Sequence, residues 1–206
     1  MKTLAILAQK GGSGKTTIAV HMAVCAVRSK LRTALIDIDP QGSAADWNES
    51  RPEEKRLDAT RATAGQLNAL LKQAKSAGAD LVIVDTAPHA NSAAAEAAKL
   101  ADLILIPCRP SRFDLKTIGT STEIARLAKT PAVVVINAAP RGRLADEARL
   151  ALEGQGVTVI KPVMQQRAAY SHAVIDGHAV HEYEPDGKAA EEIDALFNVI
   201  RKQLGI

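Results

Sequence analysis

Along the chain, short unbroken apolar runs alternate with longer stretches in which apolar positions recur every three or four residues. The runs are Thr3–Ala8, Thr33–Asp37, Leu81–Asp85, Leu103–Pro107, Ala132–Asn137 and Val157–Ile160. They are continuous rather than alternating, the pattern of parallel strands covered on both faces. Between them, Lys15–Ser29, Ala64–Ala77, Asn91–Ala101, Leu115–Leu127 and Leu144–Glu153 carry helical spacing. Ala87–Ala101 is Ala-rich and reads as a close-packed helix. Strand and helix in alternation predict an α/β fold: a three-layer sandwich, its sheet mostly parallel, with helices on both faces. Glu49–Arg61 is charged and weakly patterned and reads as surface loop with little regular structure. The last helical stretch, Ala189–Leu204, sets Ile193, Leu196, Phe197, Ile200 and Leu204 on one stripe. Such a stripe docks into a core or lies on a membrane, and the second use wants a strongly basic polar face. Glu191, Glu192 and Asp194 offset Arg201 and Lys202 here, which favours the core.

Composition narrows the class. A length of 206 residues fits one domain, 1–206, with a full core. Aromatics are only 2%, so the core is aliphatic, and stacking platforms for single-stranded nucleic acid are disfavoured. The net charge of +3 decides nothing alone, since a local basic patch can still bind duplex phosphates. Cys25 and Cys108 are far apart in sequence and suggest neither a disulfide framework nor metal-binding spacing. The apolar run at the start is too short for a signal peptide, and no run approaches the ~20 residues of a membrane span. The expected location is the cytoplasm.

Chemistry enters at "QKGGSGKTT", Gln9 to Thr17, which follows a strand and opens a helix. That context validates a phosphate-binding loop and makes the fold one of the P-loop NTPase type. Gly11, Gly12, Ser13 and Gly14 turn the backbone so that its N–H groups face phosphate oxygens, and the following helix adds its positive dipole end. Lys15 is placed to neutralise β- and γ-phosphate charge. Thr16 is the Mg²⁺ ligand, and Thr17 supports the phosphates nearer the sugar. "DLVIVDTAP" puts Asp85 at a strand tip, where a carboxylate partner for Mg²⁺ belongs; the same residue also suits capping of the turn. In "ALIDIDPQGS", Asp37 ends a strand and Pro40 biases Asp39 to an extended conformation over the phosphates. Asp39 is therefore the candidate for orienting the attacking water and a further candidate at the metal, with a simple Asp-Pro-Gln-Gly turn as the alternative.

Together, "KGGSGKTT", "IDIDPQGS" and "VIVDTAP" resemble the deviant Walker A ATPases of the ParA/MinD family, in that family's order. The resemblance implies ATP, Mg²⁺, an ATP-dependent nucleotide-sandwich homodimer and slow hydrolysis stimulated by a partner. It makes Lys10 the signature lysine, which reaches the partner subunit's ATP. Lys10, Lys15 and Asp39 then form the catalytic set, and Asp85 is the Walker B acid. With the P-loop at residue 10, no helix-turn-helix is expected ahead of it, as in the small plasmid-partition branch. "RPSRFDLKTIG" resembles the ParF-like segment beside adenine and the dimer interface, which makes Pro110 a nucleotide candidate. "QQRAAYSHAVIDGHAV" resembles that branch's late segment. Asn137 matches the family's asparagine near the base, or initiates a turn.

The function implied is a partition ATPase. It binds nonspecific DNA on the nucleoid in its ATP form and segregates a plasmid, chromosome or protein cargo through a centromere-binding or cargo adaptor. Arg167 is the first DNA candidate, followed by Lys188, Arg201 and Lys202, each of which also suits an ordinary solvated charge. The rival reading is a MinD-like membrane-cycling ATPase, without stable membrane insertion in either case.

Overall fold

The computed structural model describes residues 1–206. Its strands are β1 (Lys2–Ile6), β2 (Thr33–Asp37), β3 (Asp58–Arg61), β4 (Leu81–Asp85), β5 (Leu103–Cys108), β6 (Ala132–Ile136) and β7 (Val159–Ile160). The helices are α1 (Lys15–Arg28), α2 (Ser43–Glu49), α3 (Leu67–Ser76), α4 (Asn91–Leu100), α5 (Arg112–Ala128), α6 (Leu144–Glu153), α7 (Ala168–Ile175), α8 (Val180–Tyr183) and α9 (Lys188–Leu204). The seven strands form one sheet in the order β3-β2-β4-β1-β5-β6-β7. Every pairing is parallel, so the expected α/β sandwich is present with a wholly parallel sheet.

Alternate residues of each central strand point to opposite layers, as the pleat requires. Leu4, Ile6, Leu35, Ile83, Leu105 and Val135 pack with α1, α2 and the α7–α9 region. Ala5, Ile36, Val84, Ile104, Ile106 and Val134 pack with α3 to α6. The apolar stripe of α9 lies in the first of these cores, with Ile193, Leu196 and Ile200 fully buried. The docked reading of that helix holds.

Three local expectations are corrected. Glu49–Arg61 is not irregular: α2 ends in it, a 3-10 turn spans Glu53–Lys55, and β3 adds an edge strand to β2. β3 has only one half-buried residue among exposed ones, so it lacks the apolar signature of an inner strand. The Ala-rich run from Ala87 is helical only from Asn91, where the helical spacing already puts the start of α4. α5 starts at Arg112 rather than Leu115, because the Ser111 hydroxyl accepts the Asp114 amide and caps it.

Candidate nucleotide site

The site sits where the sheet changes direction. β1 lies between β4 and β5, and the loops leaving the carboxyl ends of the strands open a crevice there. Register brings the acids in: Asp85 pairs across from Ile6 on one side and from Asp37 on the other.

From β1 the chain enters a loop whose Gly12 and Gly14 adopt φ of 73° and 97°, left-handed values that favour glycine. A Cβ on Gly14 would also overlap the side chain of Asn137. α1 has no side-chain cap, and the amides from Gly11 to Thr17 donate to no protein acceptor. The Ser13 hydroxyl is buried and likewise unpartnered. A row of free donors at a helix start, roofed by a lysine, fits a polyphosphate. That lysine is Lys15, buried, with Nζ 3.5 Å from the Lys10 carbonyl oxygen. Burial lowers its pKa against the opposing pull of Asp85 and Asp39.

The Thr16 hydroxyl donates to Asp85 Oδ2 at 2.6 Å. Burial pushes the Asp85 carboxyl up to about 7; the Thr16 hydrogen bond and Lys15 oppose the rise, while Asp37 and Asp39 add to it. A hydroxyl and a carboxylate side by side, both hard oxygen donors, fit Mg²⁺. A bound dication would hold Asp85 ionised.

Asp37, beside Asp85 in the ladder, is engaged by backbone amides. Its carboxylate accepts the amides of Asp39 (3.0 Å), Ala44 (2.9 Å) and Ala45 (3.1 Å), and so caps α2 from a distance. Asp39 is half-buried, and its Oδ1 accepts the Gln41 amide at 2.9 Å. The turn is therefore real, and it holds Asp39 close enough for its charge to act on Lys15.

Beside the loop lies a cleft of about 420 Å³ lined by Gly14, Thr17, Pro110, Asn137, Arg167 and Tyr170 among others. Pro110 and Asn137 are thus brought together with the loop. The Asn137 side-chain amide donates to the Ser13 carbonyl at 2.7 Å, which braces the loop. His21 backs the cleft with no exposed surface; burial pushes its pKa down to about 3.

Lys10 is engaged elsewhere. Its Nζ donates to Asp114 Oδ2 at 2.6 Å and lies 5.9 Å from the Phe113 ring centroid. The same carboxylate, only 4% exposed, accepts the Ser111 hydroxyl. Asp114 and Ser111 were not singled out in the sequence; the signal for them is the cap pattern Ser-x-x-Asp ahead of an apolar helix.

The basic candidates scatter. Arg167 makes a forked pair with Glu192 at 2.6 and 2.9 Å and lines the cleft. Lys188 pairs with Glu191 at 2.8 Å. Arg201 donates to the Ile206 carbonyl at 2.9 Å. Lys202 is exposed and forms no ion pair.

Comparison with known proteins agrees with this geometry. Residues 4–180 match the model of the CobQ/CobB/MinD/ParA nucleotide binding domain. The chain is 31% identical to maintenance of carboxysome distribution protein A of Gloeobacter kilaueensis, over 98% of this chain and 94% of that one. It is 27% identical to protein ParA of Rhizobium radiobacter, over 99% and 98%. Among solved structures, apo McdA of Cyanothece superposes with a TM-score of 0.77 at 18% identity, over the whole of both chains. MinD of Pyrococcus horikoshii complexed with Mg-ADP gives 0.80 at 15% identity, over 99% of this chain and 97% of that one. With the P-loop, the strand-end acids and this match over most of its length, the chain belongs to the CobQ/CobB/MinD/ParA nucleotide-binding family and is a ParA/MinD-type ATPase.

Proposed function

We propose that the protein is a ParA-type positioning ATPase. Its ATP-bound homodimer holds nonspecific DNA of the nucleoid and segregates or spaces a cargo, with hydrolysis stimulated by a centromere-binding or cargo adaptor protein. The observation that carries this reading is the second lysine. Lys15 alone roofs the phosphate cradle, whereas Lys10 stands at its rim, held by Asp114 of α5. A monomeric NTPase has no need of it; a subunit that lends a lysine to a partner's phosphates does.

Thr16 and Asp85 would hold Mg²⁺, which when bound offsets phosphate charge. Asp39 would orient the attacking water, and Pro110 and Asn137 would line the base end of the cleft. Relatives named for carboxysome distribution and for ParA make both protein and DNA cargo reasonable. A membrane-cycling role finds less support. The apolar face of α9, which a membrane-surface role would need, is spent in the core.

The test is binding to nonspecific duplex DNA with ATP, ADP or neither, across a salt series, beside pelleting with anionic vesicles. ATP-dependent binding that weakens steeply with salt is expected. No DNA binding in any state, or strong ATP-dependent vesicle binding instead, would overturn the reading.

A further inference from the structure

Away from the nucleotide cleft, three helices bring together a thiol, an imidazole and a carboxylate. Cys25 lies toward the far end of α1 from the P-loop, His181 on α8 and Asp194 on α9. Cys25 Sγ is 3.3 Å from Asp194 Oδ1, and His181 Nε2 is 2.8 Å from the same oxygen. All three donor atoms lie within 4.8 Å of one another.

The residue types invite a Cys-His-Asp nucleophile, but the geometry excludes it. In such a relay the imidazole stands between thiol and carboxylate, one ring nitrogen toward each. Here the thiol and the imidazole converge on one carboxylate oxygen, and the other ring nitrogen, His181 Nδ1, has no partner. Convergence of donor atoms on one point is the geometry of a metal site.

We propose that Cys25, His181 and Asp194 bind a zinc-class divalent cation, with water as fourth ligand. A tetrahedral zinc ion sets sulfur and oxygen ligands roughly 3.5 Å apart and nitrogen and oxygen ligands roughly 3.3 Å apart. The present spacing therefore needs to open by about half an ångström on the His181 side. Cys25 and His181 are each 3% exposed and fixed by the core, while the Asp194 side chain is 56% exposed. The site is thus closed behind and open in front, which gives the cation an entry and the water a place. Thiolate and carboxylate together cancel the dication, so no net charge is buried. On binding, the thiol proton leaves to solvent and the imidazole proton moves to Nδ1. A thiolate and an imidazole select against Mg²⁺, which separates this site from the pair Thr16 and Asp85.

The test uses the reduced, nucleotide-free full chain, stripped by chelator and titrated with Co²⁺. One equivalent is expected to produce a thiolate-to-cobalt charge-transfer band, bleached by Zn²⁺. Cys108→Ser, at a thiol buried elsewhere, should keep the band, and Cys25→Ser should lose it. Asp194→Asn changes a side chain that is 56% exposed and keeps an acceptor for His181, and should weaken binding by at least the roughly tenfold of an outer-shell change. A wild-type protein with no charge-transfer band overturns the proposal. So does a band that survives Cys25→Ser, or Co²⁺ affinity unchanged in Asp194→Asn.

Discussion

Asp85 carries a cost that its position makes unavoidable. An unfolded aspartate titrates at 3.8, whereas burial raises this one to about 7. Between those pH values the unfolded chain gives up a proton that the folded chain keeps, so stability falls as pH rises through that window. By linkage the loss is on the order of 4 kcal/mol once both states are ionised. Asp85→Asn removes the titration while keeping an acceptor for Thr16. In urea unfolding without nucleotide or divalent ions, the variant should be more stable than wild type at pH 8 by ~1–3 kcal/mol and nearly equal at pH 4. Its ATP hydrolysis should be severely reduced. Equal stability of the two proteins at pH 8 would refute the buried-charge account. The two lysines separate in the same manner. Lys15→Ala should abolish nucleotide binding or weaken it severely, read by nucleotide titration. Lys10→Ala should leave binding intact and remove ATP-dependent pairing, read by light scattering. The loop and both strand-end acids were legible because each is a short motif at a fixed offset from a strand. Asp114 was not, because its partner Lys10 lies 104 positions away and only the fold joins them.

Among the elements, inner strands were the most legible and the outer face near β3 the least. β4 and β6 are nearly pure apolar runs because both of their faces are covered. β3 reads Asp-Ala-Thr-Arg, an edge strand held by its ladder to β2 rather than by burial. α2 escaped notice for another reason: its start is set by Asp37, which reaches back from β2 to cap Ala44 and Ala45. Such a cap has no local sequence signature. It also makes α2 and the Asp39 turn depend on one carboxylate. Asp37→Ala strands three amides, two of them in a buried setting, and should destabilise the fold by ~2–4 kcal/mol. Trp47, the single tryptophan, is buried on α2 with the Arg51 guanidinium 4.5 Å from its ring. Its emission should shift to the red in Asp37→Ala before global unfolding. An unshifted spectrum with full hydrolysis would show that α2 does not need this cap.

For the whole molecule, alternation of strand and helix foretold the layers but not the strand order, since no local pattern encodes which strands are neighbours. The order is what places β1 between β4 and β5 and so makes the crevice. The two cores on either face of the sheet are joined only through it, and α9 closes one of them. Phe197 is the largest fully buried side chain there. Phe197→Ala should cost ~3–5 kcal/mol in denaturant unfolding. Nucleotide affinity of the remaining folded fraction should stay near wild type, because the α9 residue that lines the cleft is Ile193 and not Phe197. A selective loss of affinity would show that Phe197 shapes the cleft as well as filling the core.

The in-register ladder of β1, β4 and β2 fixes Ile6, Asp85 and Asp37 against one another through backbone bonds alone. Parallel strands locked this way do not slide without flipping side chains into the wrong layer. The acids at the strand tips therefore share a stationary frame, and whatever reports the state of the nucleotide must travel along the rim. Two rim segments leave it: the turn through Asp39 into α2, and the segment from Arg109 to Ser111 into α5. Those segments lead into α2 and α5, which pack in different cores on opposite faces of the sheet, so a change at the phosphates would be felt separately on two flanks of the molecule.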